Sequence, residues 1–132
     1  MGRRYFLAVA AVAATSCGRG GDKGIAVPAA LPGGWTRRSI EAVGLDQAPE
    51  LARRLGAKRV TLARFDGPSP LVATYYTMGA DSAAFELVQK WKPEPGEMFF
   101  SRGPIFVIVA AAGMDARSLR PIVDAVEKEL VR

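Results

Sequence analysis

Glu97-Met98-Phe99-Phe100-Ser101-Arg102-Gly103-Pro104, followed by Ile105-Phe106-Val107-Ile108-Val109-Ala110-Ala111-Ala112, is the stretch that decides the fold. Glu97 to Ser101 predicts a strand and Arg102-Gly103-Pro104 a tight connection. Ile105 to Ala112 is apolar throughout, which fits a strand covered on both faces. Pairing through the connection sets Phe100 opposite Phe106. One face then carries Met98, Phe100, Phe106, Ile108 and Ala110, and the other Phe99, Ile105, Val107, Val109 and Ala111. An antiparallel sheet with helices on one side only should show a polar opposite face. The second face therefore needs cover. One candidate is the N-terminal segment with Trp35, Ile40 and Leu45. The other is a partner subunit or an apolar ligand, since large exposed apolar patches mark binding sites.

Working outward, Lys58 to Phe65 alternates Val60 and Leu62 with Arg59, Thr61 and Ala63, a strand pattern. Asp66-Gly67-Pro68-Ser69-Pro70 is a turn by composition. Leu71 to Met78, rich in Val, Thr and Tyr, is a second strand, with Phe65 opposite Leu71. Gly79-Ala80-Asp81 interrupts it, and Asp81 fits an N-cap. In Ser82 to Trp91, Ala84, Leu87, Val88 and Trp91 recur at helical spacing, and the prolines of Lys92-Pro93-Glu94-Pro95-Gly96 end that helix. After Gly113, Leu119, Ile122, Val123, Val126 and Leu130 form the stripe of a last helix, with Glu127, Lys128, Glu129 and Arg132 mostly off it. Pro121 places its start near Ser118, with Asp115 or Ser118 as cap. Toward the N-terminus, Trp35 to Ile40 reads as a short strand or edge segment. Pro49-Glu50 opens a short helix that Gly56 stops, with Leu51 and Leu55 on its buried side. The order predicts an α+β domain: a four-stranded, mainly antiparallel sheet in ββαββα order with two main helices on one face.

Composition narrows the chemistry. The 132 residues leave room for one domain. There is no histidine, and the single cysteine is Cys17. Ser-His-Asp and Cys-His catalysis, thiol redox chemistry, zinc sites built on Cys or His, and histidine-ligated haem are thereby removed from the domain. No cofactor or metal site is expected. The methionines Met78, Met98 and Met114 read as packing. Asp81, Glu86, Glu94 and Glu97 form no carboxylate dyad, and the glycine-rich stretches lack the strand-glycine-helix context of a phosphate loop. The net charge of +5 falls to +3 without Arg3 and Arg4, leaving 16 basic against 13 acidic side chains; that is too mild for a nucleic-acid partner. The basic pairs Arg37-Arg38, Arg53-Arg54 and Lys58-Arg59 read first as solvated surface and second as contacts to anionic headgroups. Phe99, Phe100, Phe106, Tyr75 and Tyr76 are the candidate binding face, with the two tyrosines on opposite faces, one in the core and one at the surface.

The first residues have a different character. Arg3 and Arg4 precede an apolar run from Tyr5 to Ala14, then Ala14-Thr15-Ser16-Cys17. The run is shorter than the roughly 20 residues a spanning helix needs and fits the core of a cleaved export signal. It resembles a bacterial lipoprotein signal, in which small residues precede a cysteine that becomes the acylated N-terminus; Ala14 stands where that family usually has Leu. Gly2-Arg3-Arg4-Tyr5-Phe6-Leu7 is similar to a twin-arginine signal, and a plain Sec signal is the alternative. This implies residues 1–17 as signal and lipidated Cys17, 18–32 as a glycine-rich tether and 33–132 as the folded domain. It also implies a location on the periplasmic side of the cell envelope, held to a membrane through Cys17. From Leu31-Pro32-Gly33-Gly34-Trp35 onward the chain resembles a family of bacterial envelope proteins classed as a domain of unknown function. Gly34-Trp35, Tyr75 to Met78, Ser82-Ala83-Ala84-Phe85-Glu86-Leu87 and Lys90-Trp91-Lys92-Pro93 carry the resemblance, and it implies no catalytic residue. The expected function is a lipid-anchored, non-catalytic domain binding an envelope protein partner or a small apolar ligand. The alternatives are an enzyme using carboxylate, Tyr or Lys chemistry and a cofactor-carrying electron-transfer accessory protein.

Overall fold

The computed structural model describes residues 25–130. Arg3, Arg4, Cys17, residues 18–24 of the tether and Arg132 lie outside the described residues. The strands are β1 (Ala30–Leu31), β2 (Trp35–Val43), β3 (Ala57–Asp66), β4 (Leu71–Met78), β5 (Glu97–Arg102) and β6 (Ile105–Ala110). The helices are α1 (Glu50–Arg54), α2 (Asp81–Lys90) and α3 (Ala116–Leu130), with one 3-10 turn at Leu45–Gln47. The strands form one sheet in the order β1-β2-β3-β4-β6-β5, every neighbouring pair antiparallel.

The α+β class stands, but the expected four-stranded sheet is corrected to six strands. The two additions are β1 and a β2 of nine residues. β2 lacks a clean two-residue alternation because only Trp35 is buried along it. It holds its place through its ladder with β3, with a bulge between Arg37 and Ser39, and through Trp35. The indole N–H of Trp35 donates to the Ser69 carbonyl at 2.8 Å. Its ring lies so close to the β3–β4 turn that a Cβ on Gly67 would stand 2.6 Å from Cδ1.

Two expectations about the second hairpin also change. Arg102 belongs to the ladder and pairs with Ile105, so the loop is the two residues Gly103-Pro104. Gly103 has φ +55°, which suits the tight hairpin turns whose first loop residue requires positive φ. Shortening the loop by one residue shifts the register by one, and a one-residue shift changes which faces meet. Phe100 therefore opposes Val107, and Phe106 opposes Ser101. The first hairpin pairs Phe65 with Leu71 as expected.

The main helices do not share a face. Leu119, Ile122, Val123 and Val126 of α3 join Trp35, Phe65, Leu71, Tyr75, Val107 and Val109 in one core. Ala84 and Leu87 of α2 and Ala52 of α1 join Val60, Tyr76, Met78, Phe106 and Ile108 in the other. The alternating positions of β4 and β6 thus feed opposite cores, and α2 supplies the cover that β6 demands on its second face, with α1 packed on β3 beside it. Trp35 lies on the α3 side, while Ile40 and Leu45 are exposed. α3 reaches both β5 and β1, the two ends of the sheet, which curls around it.

Cap positions follow local hydrogen bonding. The N-cap of α2 is Ala80, with Asp81 inside the first turn rather than capping it. α3 begins at Ala116, two residues before the expected start, because Asp115 Oδ1 accepts the Ser118 N–H at 2.9 Å. Pro121 is tolerated inside the helix. It is exposed, as is Arg117, whose carbonyl loses the N–H that a residue at position 121 would otherwise donate.

Leu87 is fully buried and Phe85, two positions earlier on α2, is 58% exposed. Leu87→Ala is expected to cost about 2–5 kcal/mol and Phe85→Ala less than about 0.5 kcal/mol. Urea unfolding of the two variants checks this placement of the helix.

Candidate functional site

The five aromatic residues singled out as a binding face divide between the two cores. Tyr76, Phe99 and Phe106 lie on the α2 side, and Tyr75 and Phe100 on the α3 side. Phe106 is the hub of the first group, with ring centroids at 5.9 Å from Tyr76, 5.8 Å from Phe99 and 5.5 Å from Trp91. Both tyrosines are buried, so the expected surface tyrosine is corrected to a second core residue. Phe99 and Phe100 are half-buried on β5. These side chains do structural work: aromatic pairs at such distances add about 0.5–1.5 kcal/mol beyond area burial.

A recess lies elsewhere, between the α2–β5 connection and the start of α3. It is a groove of about 640 Å³ lined by Pro93, Glu94, Pro95, Gly96, Glu97, Gly113, Met114, Asp115, Ala116 and Leu119. The sequence builds it in steps. Pro93 and Pro95 stop α2 from continuing. Glu94 and Glu97 clasp the turn, since Glu97 N–H donates to the Glu94 carbonyl at 3.1 Å and Glu94 N–H donates to Glu97 Oε1 at 3.1 Å. Gly96 has φ +86°, and a Cβ there would stand 2.8 Å from the Ala111 carbonyl oxygen. That close approach lets the Ala111 N–H donate to the Gly96 carbonyl at 2.9 Å and ties the turn to the end of β6. Asp115 closes the far wall.

The groove has an apolar floor, Leu119 and Met114, and an acidic rim, Glu94, Glu97 and Asp115. Two of the carboxylates already accept backbone N–H groups. The Asp115 carboxyl is held below its ordinary range by the Ser118 backbone N–H and then by the Ser118 hydroxyl. Nothing in the rim pairs a nucleophile with a base. The sequence showed Pro93-Glu94-Pro95-Gly96 only as a helix terminator; the signal available was two prolines bracketing an acid before an apolar strand.

A second feature lies inside the curled sheet. Tyr75 is fully buried, and neither its hydroxyl nor Thr77 Oγ1 has a hydrogen-bond partner among the described residues. Burial pushes the Tyr75 hydroxyl well above its ordinary pKa; the Glu129 carboxylate adds to the shift and Arg37 opposes it. Tyr76 is raised as well, by burial and then by Glu97. Both tyrosines stay neutral donors at physiological pH. Among the described residues no helix is long and apolar enough to cross a membrane, and no three His, Cys, Asp or Glu side chains gather as a metal site.

Compared with protein-family models, with curated proteins and with solved structures, the chain matches none.

Two outcomes test these assignments. Tyr75→Phe removes an orphaned donor, so stability at neutral pH should hold or rise, by up to about 1–3 kcal/mol. A raised folded-state pKa means that stability is lost as pH climbs past the unfolded value of about 10. The variant should therefore resist alkaline unfolding better than the parent in melts from pH 8 to 12. For Asp115 the sign is opposite. Its depressed pKa contributes stability above the unfolded value of about 3.9, lost as pH falls through the folded value. Asp115→Ala should lower the melting temperature at pH 7 and leave it nearly unchanged at pH 2.

Proposed function

We propose that the chain is a lipid-anchored, non-catalytic domain of the cell envelope that holds a protein partner in the groove between the 93–97 turn and α3. The observation that carries the binding role is the groove itself: an apolar floor under an acidic rim, with no acid–base or nucleophile pair along it. Carboxylates already engaged with backbone N–H groups are poor general acids and bases, yet they still present negative charge to a cationic neighbour. An extended segment carrying an apolar side chain beside a Lys or Arg suits such a recess. The anchor rests on Arg3-Arg4, the apolar run and the lone Cys17 preceded by small residues. Acylation with two or more chains holds a protein stably where one does not, at about 0.8 kcal/mol per buried CH₂.

The small-ligand reading draws on a separate observation, the unpartnered hydroxyls of Tyr75 and Thr77 inside the sheet. Buried polar atoms without partners call for a water or a bound group, and a single water meets that need with fewer assumptions.

Cross-linking in intact cells, followed by purification from detergent-solubilised membranes, tests the partner reading. The parent chain should yield a discrete adduct, and Glu94→Lys with Glu97→Lys should lose it while the chain stays folded and in the membrane fraction. An adduct unchanged in that variant, or its absence from the parent, contradicts the reading. Cys17→Ala should move the chain out of the membrane fraction; a chain that still sediments with the envelope contradicts the anchor.

A further inference from the structure

Glu97 lines the groove and is also the first residue of β5, an outer strand of the sheet. The two edges of the sheet differ. β1 offers two residues, whereas β5 offers six, Glu97–Arg102, with no proline, lysine or bulge among them. Natural edges are blunted by such devices, because a row of unpaired N–H and C=O groups templates another strand. The register says which groups are unpaired. The Ala111 N–H donates to the Gly96 carbonyl at 2.9 Å, so these two residues form a hydrogen-bonded pair. Such pairs alternate with non-bonded ones in an antiparallel ladder. Met98 opposite Val109, Phe100 opposite Val107 and Arg102 opposite Ile105 therefore turn their main chains toward β6. Glu97, Phe99 and Ser101 turn theirs outward. The Glu97 N–H agrees with this, since it donates away from β6 to the Glu94 carbonyl at 3.1 Å. The main-chain groups of Phe99 and Ser101 meet no partner among the described residues.

The side chains on both faces of this edge are open as well. Phe99 on the α2 side and Phe100 on the α3 side are each half-buried, whereas Phe106 and Val107 on the adjoining β6 are fully buried. Charge is unequal along the edge. At one end Arg102 is engaged by Glu127 of α3 at 3.7 Å. At the other stand Glu97, Glu94 and Asp115, none of them in an ion pair among the described residues, and no Lys or Arg lines the groove beside them.

We propose that the partner is an extended apolar segment ending in Lys or Arg, which adds to the sheet along the outer edge of β5 and lays its cationic end against Glu97 and Glu94 at the groove. It runs antiparallel to β5, the more stable pairing. The proposal rests on the groove reading and names how the partner is held there. Main-chain bonds to Phe99 and Ser101 supply affinity, as in other cases of strand addition, while the flanking side chains supply selectivity. Apolar side chains of the added strand lie beside Met98, Phe99 and Phe100, and the acidic rim selects the cation.

Amide hydrogen exchange on the full chain in neutral detergent, followed by NMR, tests this. Without ligand, the Phe99 and Ser101 amides should exchange faster than those of Phe100 and Arg102 on the same strand. The probe is the end-capped peptide Thr-Val-Val-Val-Lys-Lys, which should slow exchange at Phe99 and Ser101. Replacing its lysines by glutamates, or N-methylating its alternate amides, should weaken binding at least about tenfold. Ser101→Pro removes an outward N–H and no bond to β6, so the variant should stay folded by circular dichroism and bind the peptide at least about tenfold more weakly. No protection at about 1 mM peptide, or equal binding of the N-methylated peptide, would overturn the proposal. Protection that instead rises with protein concentration, together with a dimer mass in sedimentation, would give the edge to a second copy of the chain and overturn it too. The groove reading is judged separately by the cellular adduct, which Ser101→Pro should also lose. An adduct kept by Ser101→Pro but lost by Glu94→Lys with Glu97→Lys leaves the groove standing and sinks the strand pairing. The reverse pattern supports the pairing and sinks the groove.

Discussion

One constraint governs the rest of the fold: β6 is apolar on both faces and must be covered twice. Phe106 and Ile108 lie against α2, while Val107 and Val109 lie in the core of α3. A strand of this kind cannot sit at the edge of a sheet or face water on one side without exposing several large side chains. At about 25 cal/mol per Å² of apolar surface, such exposure would outweigh any single hydrogen bond in the sheet. The chain order meets this demand by placing one long helix on each side. β4 shares the burden, with Tyr75 turned to one core and Tyr76 to the other.

The strands from β3 to β6 were legible in the sequence because their burial alternates, or runs unbroken, over bounded segments. The first hairpin register was legible too, since Asp66 to Pro70 fixes where the chain reverses. The second was misread by one residue because Arg102 looks like a loop residue, yet its long side chain can leave the ladder and reach Glu127 at 3.7 Å while its backbone stays paired. β2 was read only in part, as a short strand or edge segment from Trp35 to Ile40, for a different reason. Trp35-Thr36-Arg37-Arg38-Ser39-Ile40-Glu41-Ala42-Val43 buries one side chain, and a strand held chiefly by its ladder leaves little trace in hydrophobic periodicity. The side taken by each helix was also beyond the pattern: two apolar faces require two covers, but amphipathic stripes alone do not say which helix goes where.

The candidate site shows the same division. The residues that drew notice, the aromatics of β4, β5 and β6, are mainly core, because large apolar side chains in strands are first of all packing material. The groove instead arises from residues read as punctuation: two prolines, a glycine with positive φ and an aspartate cap. Their chemistry becomes visible only when the turn after α2 is tied to the end of β6 through Gly96 and Ala111. Charge is likewise divided along the chain: residues 25–66 carry seven basic and four acidic side chains and 67–130 carry six and eight, with Glu94, Glu97 and Asp115 around the groove.

The double covering of β6 is tested most directly by native-state hydrogen exchange. The amides of Phe106, Val107, Ile108 and Val109 are expected to exchange only through global unfolding, with opening free energies equal to the total stability. Protection no greater at Phe106 to Val109 than at the exposed stretch of β2 would mean that one face of β6 is open, and the two-sided core would be wrong.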